Sequence, residues 1–203
     1  MAGVRLAAPQ KKARRQGAPS AWIDETGLLR APLARRTWAT QGQTPDLAQK
    51  GATREKVSVA AALGLSPRRD RLGLDSRTLA NGSFESWSGA AFWEAMVRGL
   101  AGRFVVVWDG GPLHKGDPIR DRVDHSSARL SRERLPPCAP RLNPIEVLWS
   151  WLKWERLSHF GPRDAHELDG RVSAELATAR EDQAFLRNLF HASDLPLPRA
   201  SLF

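Results

Sequence analysis

The stretch "RFVVVWDGG", residues 103–111, decides the fold class of this sequence. It contains five consecutive apolar residues, three of them valine, and then ends abruptly in an aspartate and two glycines. A continuous β-branched run of this length is typical of a strand that is buried on both faces, as in the centre of an α/β sheet. The sequence therefore predicts a central strand that ends at Asp109.

Further strands are predicted on both sides of this run. Alternating apolar residues in "SAWIDETGLLR" (20–30) indicate a first strand, with "RRTWATQGQTP" (35–45) as its hairpin partner. The segment "EKVSVAAALGL" (55–65) predicts a more buried third strand, and 71–84 is either an edge strand or a loop. Another strand is expected at "ARLSRERLPP" (128–137), although its apolar alternation is poor.

Helical patterns lie between and after these strands. Ser88 is a candidate cap for a helix that runs to residue 100, 115–124 predicts a short helix, and Asn143 begins another. Residues 163–182 place five apolar side chains on one helical face, and a further helical piece follows at 183–190: the five are Ala165, Leu168, Val172, Leu176 and Ala179. This order of elements predicts an α/β domain with a mixed sheet.

Composition narrows the class of partner. The chain has 203 residues, enough for one domain with tails, and a formal net charge of +9 with a pI of about 10.9. This excess favours a polyanionic partner, and nucleic acid ahead of a membrane surface, because no basic amphipathic helix with a broad apolar face is evident. Residues 1–20 are predicted to form a basic, disordered leader. The single cysteine, Cys138, excludes an intrachain disulfide framework, so a cytoplasmic setting is expected.

Three acidic positions form a candidate metal site. Asp24, or its neighbour Glu25, lies on the first predicted strand, Asp109 ends the central strand, and Glu146 begins a helix. Carboxylates at the ends of adjacent strands and on a flanking helix can converge, and their mutual repulsion then favours bound cations. Oxygen ligands suit Mg²⁺, and two such ions can activate water and stabilise the leaving oxygen of a phosphodiester.

Each of these residues also has a structural interpretation. An aspartate before two glycines is a common turn residue, and Asp24 fits hairpin chemistry equally well. Asn143 can cap a helix with Pro144 at its first position, and Glu146 then stands where a capping box would let it accept the N–H of Asn143. From spacing alone, both the structural and the metal-binding interpretations stay open.

Four blocks carry a resemblance to a known family. They are "AWIDETGLL", "RRTWATQGQTP", "VVVWDGGPLHKG" and "LPPCAPRLNPIEVLWSWLK". In this order they resemble the signature blocks of mariner-like bacterial insertion-sequence transposases (insertion sequence 630 type), which are DDE superfamily endonucleases. The likeness extends from about Trp22 to about Pro198.

The resemblance implies a fold, a chemistry and a set of site residues. It implies a ribonuclease H-like fold with a five-stranded mixed sheet over 21–160, and C-terminal helices and a tail (161–203) that pack on it. It implies two Mg²⁺ or Mn²⁺ ions and metal-dependent cleavage of DNA at transposon ends with strand transfer into target DNA. The metal-binding catalytic triad carries over to Asp24, Asp109 and Glu146. Residues that support the site or contact DNA are then Glu25, His114, Lys115, Asn143 and Lys153.

Several departures keep other functions open. Gly110 replaces an asparagine found in many relatives, and Cys138 stands where an aromatic residue is usual. The residues before the first strand are too few for the family's helix-turn-helix region, so a homodimer or a partner carrying that region is expected. The alternative functions are an inactive transposase relic that only binds DNA or a transposase partner, and a stand-alone junction-cutting nuclease of the same fold.

The helix that contains Glu146 has two faces. Four of its apolar side chains form an ordinary core stripe: Ile145, Leu148, Trp149 and Leu152. Trp151 and Trp154 fall elsewhere and serve either packing or dimer contact, or stacking on DNA bases.

Overall fold

The structure of the chain, a computed structural model, describes residues 8–31, 33, 38, 40–43, 55–84, 86–98, 102–108, 125, 128–136, 139–193, 195 and 197. Asp109, Gly110, His114, Lys115 and Cys138 lie outside these residues, as do the short helix expected at 115–124 and most of 35–45.

A five-stranded mixed sheet forms the centre of the fold, as the sequence predicts. The spatial order of the strands is β3-β2-β1-β4-β5. The first three strands form an antiparallel meander, and β4 and β5 run parallel to β1. The strands are β1 (Ser20–Leu29), β2 (Lys56–Leu65), β3 (Leu72–Ala80), β4 (Phe104–Trp108) and β5 (Leu130–Arg134).

Helices cover both faces of this sheet. The helices are α1 (Ala8–Gln16), α2 (Ser86–Arg98), α3 (Pro144–Trp151), α4 (Ala165–Glu181) and α5 (Gln183–Ala192). A short 3₁₀ helix, Pro140–Leu142, leads into α3, and a π-helical turn, Leu152–Arg156, continues from it. Side chains of α3, α4 and α5 share one buried cluster with the sheet, and side chains of α2 share another on the opposite face.

Strand alternation assigns each residue of β1 to one of these two clusters. Trp22 belongs to the larger cluster, where its ring meets that of Phe190 edge-on with centroids 4.9 Å apart. Ala21 and Ile23 belong to the α2 cluster instead. Because successive side chains of a strand point to opposite faces, this assignment also fixes the faces of the polar residues that follow.

The parallel strands differ in burial for a topological reason. Every residue of β4 is buried, as expected for a strand with neighbours on both edges and helices on both faces. The segment with poor alternation at 128–137 does form a strand, β5, but it pairs only with β4 and is partly exposed. Its edge position explains why charged residues such as Arg132 and Arg134 are tolerated there.

Among the described residues, the antiparallel partner of the first strand is β2; the hairpin partner expected at 35–45 lies mostly outside those residues. Strand β1 pairs with β2 over its whole length, from Ser20 opposite Leu65 to Leu29 opposite Lys56. Trp38, within the segment 35–45, is fully exposed. Strand β2 is buried along most of its length, so its pairing with β1 is supported by tertiary packing. Residues 72–80 form the edge strand β3, which settles the alternative left open at 71–84.

The predicted disorder of residues 1–20 is wrong for residues 8–16, which form α1. Alanine, lysine, arginine and glutamine are good helix formers, but so short a helix needs tertiary support. Ala13 supplies it by joining the larger core cluster, and the Lys12 ammonium lies 2.6 Å from the Glu133 carboxylate on β5.

Within the described residues, every helix is too short or too polar to serve as a membrane span.

Candidate active site

Asp24 lies in β1 on the face of the sheet that carries α3. Its partner across the β1–β2 pair is Ala61, which belongs to the larger core cluster beside α3. Glu25 lies opposite Ala60, which belongs to the cluster beside α2. The two adjacent acidic residues therefore point to opposite faces, and only Asp24 faces the helix that contains Glu146.

Two N–H groups hold the Asp24 carboxylate. The backbone N–H of Glu25 donates to Oδ1 at 2.8 Å, and the indole N–H of Trp149 donates to Oδ2 at 3.1 Å. Trp149 is buried at 2% exposure, whereas Asp24 is only partly buried. The second bond joins the middle of β1 directly to α3.

The start of α3 is fixed by its cap rather than by Glu146. Asn143 is buried and accepts the N–H of Ile145 at 3.2 Å, and Pro144 occupies the first helical position. The backbone N–H of Asn143 donates to the Pro140 oxygen at 2.9 Å, which contradicts the capping box considered from the sequence. Glu146 is not required to satisfy that donor.

Glu146 presents an exposed carboxylate in the first turn of α3. Its side chain forms no hydrogen bond or ion pair with any other residue in the described part of the chain. Residues three apart on a helix lie on the same side, so Glu146 precedes Trp149 by about 4.5 Å of axial rise. Trp149 contacts Asp24, so Glu146 lies within one turn of that contact on a helix that packs on the same face of the sheet as Asp24.

Asp109 directly follows the last residue of β4. Trp108 ends that strand, and β4 pairs in parallel with β1 with Val107 opposite Trp22. A cluster of three or more acidic, histidine or cysteine side chains suited to a metal is absent from the described residues, which do not include Asp109.

The remaining candidates after Glu146 mostly have structural surroundings. Trp151 packs on Phe185 with ring centroids 4.6 Å apart, and the Arg156 guanidinium lies 5.6 Å from the centre of the Trp151 ring. These contacts favour the packing interpretation for Trp151, whereas Trp154 is 43% exposed. Lys153 lines a cavity of about 290 Å³ beside the end of β1.

The contact between Trp149 and Asp24 is absent from the sequence-based site. The helical pattern correctly places Trp149 in the core stripe, but that pattern gives no information on its indole N–H. A tryptophan one turn after a candidate acidic ligand is the only sequence signal of this contact, and it is weak.

Comparison with known proteins identifies the family. A family model described as "DDE superfamily endonuclease" matches residues 19–169, which include Asp24, Asp109 and Glu146. The chain belongs to the DDE superfamily endonucleases. No curated protein sequence matches the chain.

Solved structures of the Mos1 mariner transposase share the fold. The paired end complex with Mn matches with a TM-score of 0.63 at 14% identity, over 93% of this chain and 55% of that chain. A pre-cleavage Mos1 transpososome matches with a TM-score of 0.62 at 14% identity, over 93% and 56%. The Mos1 catalytic domain matches with a TM-score of 0.52 at 11% identity, over 93% and 82%. This DDE endonuclease thus spans about half the length of the transposase chains in the two complexes. Its ribonuclease H-like fold agrees with the prediction.

Proposed function

We propose that this chain is the catalytic domain of a DNA transposase. In this proposal it cleaves phosphodiester bonds at transposon ends and transfers the freed strand into target DNA. The observation that carries the proposal is the contact between Asp24 in β1 and Trp149 in α3. It places Asp24 on the face of the sheet that carries α3, the helix with the exposed Glu146. The chain is also a member of the DDE endonuclease family.

Asp109 is the proposed third member of the triad. The parallel register pairs Trp22 with Val107, and the same register continued by two residues would pair Asp24 with Asp109. Side chains of paired residues in adjacent strands share a face, so a continued β4 would direct Asp109 toward α3 as well.

The residues of this site fit divalent cations. Oxygen-only donors suit Mg²⁺ and Mn²⁺, and a carboxylate oxygen has lone pairs enough to accept an N–H and bind a metal at once. The Mos1 complexes with Mn and with Mg support this cofactor. We propose that Asp24, Asp109 and Glu146 hold the ions, which supply activation of water and neutralisation of charge on the phosphate.

The chain's own contribution is positioning. The N–H donors from Glu25 and Trp149 restrict rotation of the Asp24 carboxylate. The Asn143 cap and Pro144 fix where α3 begins and therefore where Glu146 stands.

DNA is the proposed substrate and partner. The net charge of +9 favours a polyanion, and contacts with phosphates supply affinity without sequence information. The similar Mos1 structures include a paired end complex and a transpososome, so we propose that two copies of this chain act together on two transposon ends.

A cleavage assay with charge-removing variants tests the proposal. The substrates are duplexes that carry the inverted repeats flanking the gene, incubated with the full chain and Mn²⁺ under single-turnover conditions. Asp24→Asn, Asp109→Asn and Glu146→Gln are each expected to lower the rate of nicking at least about a hundredfold, because each weakens the hold on the ions that neutralise negative charge in the transition state. Glu25→Gln is the matched control, since it changes the adjacent acidic residue on the opposite face of the sheet.

Two outcomes would contradict the proposal. Nicking at the same rate by wild type and Asp109→Asn would remove the triad. Tight DNA binding by a folded wild-type chain that does not nick with either metal would favour the inactive relic instead.

A further inference from the structure

We propose that Trp149 is a positioning residue whose indole N–H holds the Asp24 carboxylate in the orientation that binds a divalent cation. The inference rests on the proposed function, because it assigns Trp149 a role in the same site. It adds a residue that is neither acidic nor a metal ligand.

The environment of Trp149 singles it out among the buried tryptophans. Its indole N–H donates to Asp24 Oδ2 at 3.1 Å while the side chain is 2% exposed. The indole nitrogens of Trp22 and Trp93 are equally buried but have no hydrogen-bond partner among the described residues. This fold therefore tolerates buried indoles without an acceptor, and the contact at Asp24 is not a general consequence of burying a tryptophan.

The two hydrogen bonds on Asp24 constrain its carboxylate plane. Rotation about the terminal torsion of an aspartate is broad when nothing restrains it. The Glu25 N–H on one oxygen and the Trp149 N–H on the other restrain that rotation. Groups that orient a metal ligand in this way commonly alter metal affinity 10- to 100-fold when they are removed.

The same bond couples the two elements that carry the acidic residues. Trp149 lies one helical turn after Glu146, and side chains on a helix lean toward its N-terminus, which is the side of Glu146. The indole N–H of Trp149 thus restrains the position of the Asp24 carboxylate relative to α3. Loss of the N–H is expected to affect Asp24 directly and the spacing to Glu146 indirectly.

Calorimetric titration of the full chain with Mn²⁺ tests this role without relying on catalysis. Trp149→Phe keeps an aromatic ring but removes the donor, and we expect it to weaken Mn²⁺ binding at least about tenfold. Trp93→Phe is the matched control: Trp93 is also 2% exposed, its N–H has no partner among the described residues, and it belongs to the α2 cluster on the opposite face. It should bind Mn²⁺ as wild type does.

The possible outcomes separate this inference from the proposed function. Equal Mn²⁺ affinity of Trp149→Phe and Trp93→Phe, with binding lost in Asp24→Asn, would overturn the role of Trp149 and leave the metal site intact. Wild type that binds no Mn²⁺, or Asp24→Asn that binds it as wild type does, would overturn both.

A second measurement observes the hydrogen bond itself. The indole N–H resonance of Trp149, assigned by its absence from Trp149→Phe, should move upfield and exchange faster with solvent in Asp24→Ala. An unchanged resonance would contradict the inference. If Trp149→Phe does not fold, 3-benzothienylalanine at position 149 keeps the bicyclic shape while sulfur replaces the N–H. Mn²⁺ affinity equal to wild type with this residue would refute the positioning role.

Discussion

The Asn143 cap of α3 contributes to the stability of the fold and also fixes the position of Glu146 in the first turn of that helix. Comparing Asn143→Ala with a cap variant of another helix separates the two effects. The Asn143 side chain is 3% exposed and accepts the Ile145 N–H at 3.2 Å. Alanine leaves that donor without its acceptor in a place that water hardly reaches, which costs about 1–2 kcal/mol. Pro144 and the bond from the Asn143 N–H to Pro140 remain, so the helix should still form.

Asp182→Ala provides the comparison for this variant. Asp182 caps α5 in the same manner by accepting the Phe185 N–H at 2.9 Å, but its helix does not contain a site residue. In urea, the free energy of unfolding should fall by about 1 kcal/mol for Asp182→Ala and by the same amount or more for Asn143→Ala. Only Asn143→Ala should also slow DNA nicking, by roughly tenfold or more, because it loosens the first turn that carries Glu146. An equal drop in nicking for both variants would mean that activity follows overall stability and not the aim of Glu146.

Three further predictions concern the described scaffold. Glu175 is buried and forms ion pairs with two arginines. Nε of Arg156 lies 2.5 Å from one carboxylate oxygen, and a terminal guanidinium nitrogen of Arg171 lies 2.9 Å from the other. Glu175→Gln should therefore lower the free energy of unfolding by about 1.5–3 kcal/mol in urea, and no change would contradict the pairing. The N–H of Glu167 lowers the pKa of Asp164, so this carboxylate stabilises the fold above its unfolded pKa and loses that effect as pH falls through its folded value. Asp164→Ser keeps a capping oxygen but has no carboxyl group that titrates at acidic pH. Its free energy of unfolding should therefore fall less steeply than that of wild type as the pH is lowered. An equally steep fall would exclude a contribution of Asp164 ionisation to stability. Gly170→Ala in α4 should raise the unfolding free energy by about 0.5–1 kcal/mol, whereas Gly102→Ala, at a φ of +70°, should lower it by about 1 kcal/mol. Thermal unfolding checks both signs, and the same sign for both would refute the argument.

Local sequence patterns are sufficient to predict the elements whose burial is uniform or periodic. The run at 104–108 is buried throughout, and the apolar face of 163–182 is buried at every predicted position. Both signals reflect packing that repeats along one element. The partner of β1 and the helix α1 escape such reasoning because they depend on distant contacts. Lys12, for example, pairs with Glu133, 121 positions away in sequence.

The candidate site shows the same limit at the level of single residues. The pattern of β1 cannot choose between Asp24 and Glu25, because either residue could face the helix that contains Glu146 until the packing of α3 is known. Strand alternation together with the position of α3 makes that choice. The metal-ligand role of Asp24, Asp109 and Glu146 stays a prediction for the cleavage assay.

Apolar packing holds α3 against the sheet on the face that carries Asp24. Glu146 is flanked in α3 by Ile145 and Leu148, both at 0% exposure, and by Trp149 at 2%. Burial of each such side chain contributes about 1.5–3 kcal/mol. The three side chains together contribute roughly 4.5–9 kcal/mol, which exceeds the repulsion of a few kcal/mol expected between two carboxylates near the protein surface. Under the proposed function, this packing would fix the position of Glu146 before a metal binds, so that an arriving cation would meet a carboxylate that is already oriented.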